Sequence, residues 1–560
     1  MIEIPPIKQI SEQQALVIDD QSLVHDVIKS ALLELGIGSV RTAENAYYAA
    51  RLCAEETFDI IIISFNVKSD KDGFHLLEEL KLKGHITKST VVIFLSAETS
   101  SSLVNCVIEL QPNDFWVKPL DRKKVLERLK QVLLVKRKLY RLHYCVDHQE
   151  YASAIYIGER QLTDNSIATY HPHIKRLIGE CLMNLREYHD AEIFYQNLMQ
   201  DLDYGWVKIA LARALLKQEK EQEAAALIGE LKGRKDTCFM AYDLLAQYYI
   251  EHENYAQAYE EIKMATELAP RNIDRNKKSC NLARLNHDKK GQYVATQNMA
   301  KYAKNSIHDS PELMLNVIRS GLDLASTLSE MEASKILQKS ERLISQLEAE
   351  YGKAELKEQI NVIQVRMMCL RDEKKKAEAL LKEEVGKELL ESLEDNLDKV
   401  KAFHALGYRE ECLRLLDELK AQIADDSFAG SVIKQYIEQE ALERKDIHFS
   451  PKELTEMATE HYRNKRYMPA YMELSKAFVL SPHSKPIAMN VLKVLSALKE
   501  QGMLDSLQKE NAARAYDLLK DQRLGGEQQH IFQQYSEVLE LEVLSQELKE
   551  KAEKAVLAAS

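Results

Sequence analysis

Glycine and proline are scarce in this chain, 18 and 11 among 560 residues. Both break helices, and Ala, Leu, Glu and Lys fill most of the sequence beyond about residue 120, so a helix-dominated protein is predicted. The eight cysteines carry no CxxC pair and no zinc-ligand spacing, so neither a disulfide framework nor a zinc site is suggested, and the usage fits a reducing cytoplasm. A basic excess is missing too. The formal net charge of -12 argues against a dedicated nucleic-acid binder, which needs cations to displace the counterions of phosphate. Long apolar runs are absent: stretches such as Ile60 to Ile63 fall far short of the roughly 20 residues that span a bilayer. The opening MIEIPPIKQISEQQ has neither the charged nor the apolar region of a secretory signal. No Gly-rich phosphate loop, G-x-S-x-G elbow, H-E-x-x-H helix or helix-turn-helix is found. The expectation is a soluble, cytoplasmic, non-enzymatic protein with no nucleic-acid partner and no membrane insertion.

What is present begins at residue 14. Short β-branched runs alternate with amphipathic stretches, the pattern of βα units feeding a parallel sheet. Candidate strands are Ala15 to Ile18, Ser39 to Thr42, Ile60 to Ile63, Val91 to Leu95 and Phe115 to Val117. Asp19 and Asp20, Ser64, Ser96 and Lys118 fall just past four of these runs, at the carboxyl ends where open parallel sheets place ligands.

ALVIDD, DIIIISFN, VVIFLSA and FWVKP, in this order and spacing, resemble the receiver domain of two-component response regulators over residues 12 to 136. The resemblance implies a flavodoxin-like, five-stranded parallel sheet. It also implies that Asp19 and Asp20 hold Mg²⁺, that position 64 accepts phosphate from a histidine kinase, that Ser96 bonds the phosphoryl group and that Lys118 neutralises charge. Phe115 falls at the family's aromatic switch position. Ser64 departs from the pattern. A serine hydroxyl cannot form the acyl phosphate, and it removes an anionic ligand from a hard cation. Lys68 stands where the family has proline, and Asp72-Gly73 arrives one residue late, so the pocket loop from Asn66 to Gly73 is altered as well. Two readings of Asp19, Asp20 and Lys118 stay open: an acid-ammonium cluster kept for structure, and a residual, weak Mg²⁺ site on the acidic pair. Asp70 and Asp72 are the alternative acceptors. No cofactor is required.

From Asp121 to about Val146 the helical pattern runs without Gly or Pro, predicting an unbroken, stiff connector. Small residues then recur in pairs twelve apart: Gly179 with Ala191, Ala212 with Ala224, Ala246 with Ala258, Ala283 with Ala295, and Ala458 with Ala470. The first four pairs start 33, 34 and 37 residues apart. Antiparallel helices approach closely only where small side chains meet. LLAQYYIEHENYAQAYEEIKMATELAP and MATEHYRNKRYMPAYMELSKAFVLSP resemble tetratricopeptide repeats, whose period is about 34 residues. The domains read as a receiver over 1-136, tetratricopeptide repeats over 137-308, degenerate helical repeats over 309-445, and a C-terminal repeat with capping helices over 446-560. The fold class is therefore an α/β receiver followed by an all-α, tetratricopeptide-type solenoid. Charged runs such as Asp372 to Lys376 read as solvated helix faces, and Glu527 to Ala559 as an amphipathic capping helix.

The layout resembles bacterial auxiliary two-component regulators of the VieB kind. This implies an adaptor acting by protein contact, with a sensor histidine kinase or another response regulator as partner. A scaffold for a non-kinase assembly, and a switch phosphorylated at another residue, are the competing readings.

Overall fold

The computed structural model describes residues 4–546 apart from 69–70, 99, 202–203, 329, 353, 424–427, 447–448, 450, 483 and 521–525. The apolar runs become β1 (Gln14–Ile18), β2 (Ser39–Ala43), β3 (Ile60–Ser64), β4 (Val91–Ser96) and β5 (Asp114–Val117). Between and after them lie α1 (Ser22–Glu34), α2 (Ala46–Glu55), α3 (Gly73–Leu82), α4 (Ser101–Glu109) and α5 (Arg122–Lys138). The strands form one parallel sheet in the order β2-β1-β3-β4-β5. Each central strand is apolar on both faces because helices cover both. Ala15, Val17, Ile60, Ile62 and Trp116 face the α1 and α5 side, while Leu16, Ile18, Ile61, Ile63 and Phe94 face the other.

The helices that follow are α6 (Tyr140–Asp147), α7 (Tyr151–Leu162), α8 (His171–Asn184), α9 (Tyr188–Asp201), α10 (Gly205–Leu216), α11 (Glu221–Gly233), α12 (Cys238–Glu251), α13 (Tyr255–Leu268), α14 (Ile273–Leu285), α15 (Lys289–Ala303) and α16 (Pro311–Ala325). Next come α17 (Glu330–Tyr351), α18 (Lys357–Leu370), α19 (Lys374–Glu384), α20 (Leu393–Ala405), α21 (Arg409–Gln422), α22 (Phe428–Asp446), α23 (Pro451–Arg463), α24 (Tyr467–Leu480), α25 (Lys485–Lys499), α26 (Ser506–Lys520) and α27 (Gly526–Leu539). Among the described residues none is long and apolar enough to cross a membrane.

The chain divides into two compact units, one of Met1–Arg275 with Lys301–Asp309 and one of Asn276–Ala300 with Ser310–Ser560. In the first, α6 packs on α7, α8 on α9, α10 on α11 and α12 on α13. In the second, α16 packs on α17, α18 on α19, α20 on α21, α23 on α24 and α25 on α26. The ten small residues at the anticipated crossings, from Gly179 to Ala470, are all buried. A Cβ at Gly179 would stand 2.3 Å from the Tyr195 hydroxyl, so this crossing tolerates no side chain.

The turns between paired helices repeat as well. Gln149, Arg186, Glu219, Glu253, Asp372, Gly407 and Lys465 each follow the first helix of a pair with φ between 56° and 84°. A residue in the left-handed region ends the helix and lets its last carbonyls find donors.

Two expectations need correction. The connector is interrupted at Leu139, which leaves helical geometry (φ -96°, ψ 8°) between α5 and α6. Leu139 is fully buried, and the nearby Lys136 is pulled onto the carbonyls of Lys88 and Thr90, so packing overrides the local helical pattern. The final helix also breaks at Glu540, in the left-handed region with φ 55°, and its residues from 547 lie outside the described part.

Candidate receiver pocket

β1 delivers Asp19 to the carboxyl edge of the sheet, where it is fully buried; Asp20, one residue on, is exposed. One Asp19 oxygen accepts the Gln21 N–H at 2.9 Å, and the other faces the Lys118 ammonium at 2.7 Å. Lys118 follows β5, and its backbone N–H bonds the Ser96 carbonyl at 3.0 Å. Ser64, last residue of β3, is fully buried and its hydroxyl has no hydrogen-bond partner among the described residues. The Ser96 hydroxyl is turned onto its own chain, donating to the Glu98 carbonyl at 2.9 Å and accepting from the Glu98 N–H at 3.0 Å. Phe115 is half-buried and stacks on Phe94, ring centroids 6.1 Å apart.

The loop after Ser64 returns tightly. Gly73 donates to the Phe65 carbonyl at 2.9 Å, and a Cβ at Gly73 would lie 1.8 Å from the Ser64 carbonyl oxygen. Glycine is required by this approach. Asp72 caps α3, accepting from the His75 N–H at 2.9 Å, and Asp70 lies outside the described residues.

A magnesium ion takes anionic oxygens. Here Asp19 is engaged by Lys118, Asp20 is exposed, and position 64 offers a neutral hydroxyl. No cluster of three or more His, Cys, Asp or Glu suited to a metal occurs among the described residues. The set is an incomplete cation site.

A parallel sheet in this order, with acid, hydroxyl and lysine groups at the carboxyl ends of β1, β4 and β5, defines a receiver. The family described as response regulator receiver domain matches residues 15–130, and the chain belongs to it. The chemotaxis protein CheY of Bacillus subtilis is 30% identical over 118 residues, covering 21% of this chain and 95% of that protein. CheY of Treponema pallidum is 30% identical over 121 residues, 21% of this chain and 82% of that one. The solved chemotaxis response regulator CheY4 of Vibrio cholerae is 23% identical, covers 21% of this chain and 98% of its own, and gives a TM-score of 0.20.

Several charged groups escaped sequence reasoning. In the second unit, helical charges are buried against one another. The Arg366 guanidinium bonds Asp398 and, at 2.5 Å, Asp323, whose other oxygen meets Lys401 at 2.5 Å. Burial would raise the Asp323 carboxyl, but Lys401 and Arg366 overcome it and hold the group far below the usual range. Arg319 binds Glu312 at 2.7 Å and also Asp395. Paired acids and bases three or four apart on one helix, such as Arg319 with Asp323 or Glu440 with Arg444, were the available signal, and they read equally well as solvated faces.

In the first unit, His143 Nε2 of α6 lies 3.2 Å from His173 Nε2 of α8. Burial holds His143 well below its ordinary value and His173 down to about 4. Asp147 of α6 accepts the Lys88 and Ser89 N–H groups at 2.7 and 3.0 Å, tying the turn before β4 to the helical array.

Proposed function

We propose that this chain is a non-enzymatic signalling adaptor of a bacterial two-component pathway, acting by protein contact: a pseudo-receiver without a phosphoacceptor, joined to tetratricopeptide repeats as in auxiliary regulators of the VieB kind. The observation that carries this reading is Ser64, a neutral, unpartnered hydroxyl where phosphotransfer needs a carboxylate. The alternative acceptor Asp72 is occupied in capping α3. The repeat assignment is supported by the buried small-residue pairs and by the left-handed turn that recurs between paired helices. Stacked helix pairs present extended surfaces for partner segments. In this reading the receiver meets a sensor histidine kinase or another response regulator, and the array holds a second protein. No cofactor is required, and any Mg²⁺ binding rests on Asp19 and Asp20 alone and is weak.

Acetyl phosphate with Mg²⁺ should leave the protein without a hydroxylamine-sensitive label by mass spectrometry; stable labelling would sink the pseudo-receiver assignment. Affinity capture of the intact protein from its host should recover a histidine kinase or response regulator. Recovery of a non-kinase assembly alone would replace this reading with that of a scaffold.

A further inference from the structure

The turn joining α13 to α14 begins at Pro270, and three residues just past that proline reach the receiver. Arg271 lays its guanidinium 5.2 Å from the centre of the Phe65 ring and 5.3 Å from that of Tyr302, and stands 3.5 Å from Asp72. Phe65 is the residue after Ser64, and Asp72 closes the same loop. Asn272 donates to Glu109, the last residue of α4, at 2.7 Å. Arg275 donates to the other Glu109 oxygen at 2.8 Å.

Arg275 is held in advance by the array. Its Nε bonds Asp243 of α12 at 3.0 Å, its Nη1 bonds the Ala269 carbonyl at 3.0 Å, and its side chain is only 3% exposed. A planar guanidinium with all three nitrogens engaged presents a fixed fork. Phe239 and Ala269 of the array share one apolar cluster with Leu103, Cys106 and Val107 of α4, so the polar contacts sit on a packed seam. The segments gripped are the pocket loop and α4, while the strands are held by their own ladder.

We propose that the turn from Pro270 to Arg275 is a clamp through which the helical array, and not chemistry inside the pocket, sets the position of Phe65 and Asp72 beside the receiver pocket and of α4. It rests on the reading of Ser64 as a non-acceptor. Its test uses no phosphate, so the two can fail separately. Asp243, 46% exposed on α12, is the outward end of the connection and is open to a protein bound on the array.

Hydrogen-deuterium exchange on the full chain tests it. In Arg271→Ala and in Glu109→Lys, peptides covering residues 65–82 and 103–110 should exchange about tenfold faster, with β1 and β3 unchanged. Arg271→Lys, which keeps the charge but loses the planar stacking, should fall between. Asp243→Asn touches no receiver residue and should still accelerate exchange in residues 103–110 by several-fold, roughly. Unchanged exchange in residues 65–82 for Arg271→Ala overturns the clamp. A uniform increase across the receiver, or an Asp243→Asn effect confined to the array, overturns it as well.

Discussion

Lys118 is what makes a carboxylate tolerable at the fully buried position of Asp19. A buried charge without a partner costs far more than a buried pair, because its lost hydration is no longer compensated. Lys118→Met should therefore destabilise the receiver by roughly 3 to 5 kcal/mol, seen as a fall in the urea midpoint. A midpoint equal to the parent's would mean that water or a neighbouring donor already serves Asp19. Ser64 behaves oppositely: neutral and small, its unpartnered hydroxyl carries only the modest cost of one unmade hydrogen bond, of order 1 to 3 kcal/mol. The residues at the strand ends were visible in the sequence because each follows an apolar run. Arg271 and Arg275 were not, since their partners lie far away in the chain and such contacts leave no local period.

Among elements, the strands were the most legible. The run Ile60 to Ile63 became β3 with one residue added, and Val91 to Leu95 became β4 with one added, because an apolar run bounded by polar residues has little freedom in its placement. The connector was misread, since the pattern VLERLKQVLLVKRKLYRLHYCV is helical throughout and gives no hint that Leu139 must turn into a core. The helix crossings allow a direct check. Ala246 and Ala258 are essentially inaccessible, so Leu at either position overpacks the α12-α13 contact and should cost about 1 to 3 kcal/mol in thermal or urea unfolding.

The α6-α8 junction carries a pH response. His143 and His173 are bases whose folded values lie below their ordinary one, so below about pH 6.5 the unfolded chain binds protons that the folded chain refuses. Their contribution is fully present above that pH and declines as pH falls toward 4. Lys136 and Lys88 lower both values, Arg176 lowers that of His173, and Glu180 opposes them there. The melting temperature of the first unit should drop between pH 7 and pH 4.5, and His173→Phe should flatten the drop. An unchanged slope in that variant would remove the pair as its source.

At the scale of the whole molecule, both units bury paired charge, on Asp19 and Lys118 in the first and on Arg366, Asp323 and Asp398 in the second. The Arg366, Asp323 and Asp398 cluster of the second unit is screened from solvent, so Arg366→Met should cost about 3 to 5 kcal/mol, and the loss should change little between low and high salt. A salt-sensitive loss would indicate that water reaches the cluster. The division of the chain has a consequence of another kind. The backbone passes between the units three times, after Arg275, after Ala300 and after Asp309, and α14 and α15 each straddle a passage. During synthesis, which proceeds from the N-terminus, the first unit therefore cannot be finished when Arg275 leaves the ribosome. It must wait for Lys301 to Asp309, and those residues emerge only after twenty-five that belong to the second unit. Truncation at Arg275 would thus release a receiver and its helices still lacking Tyr302, whose ring flanks Arg271, and a stalled ribosome at that point would hold an unfinished body.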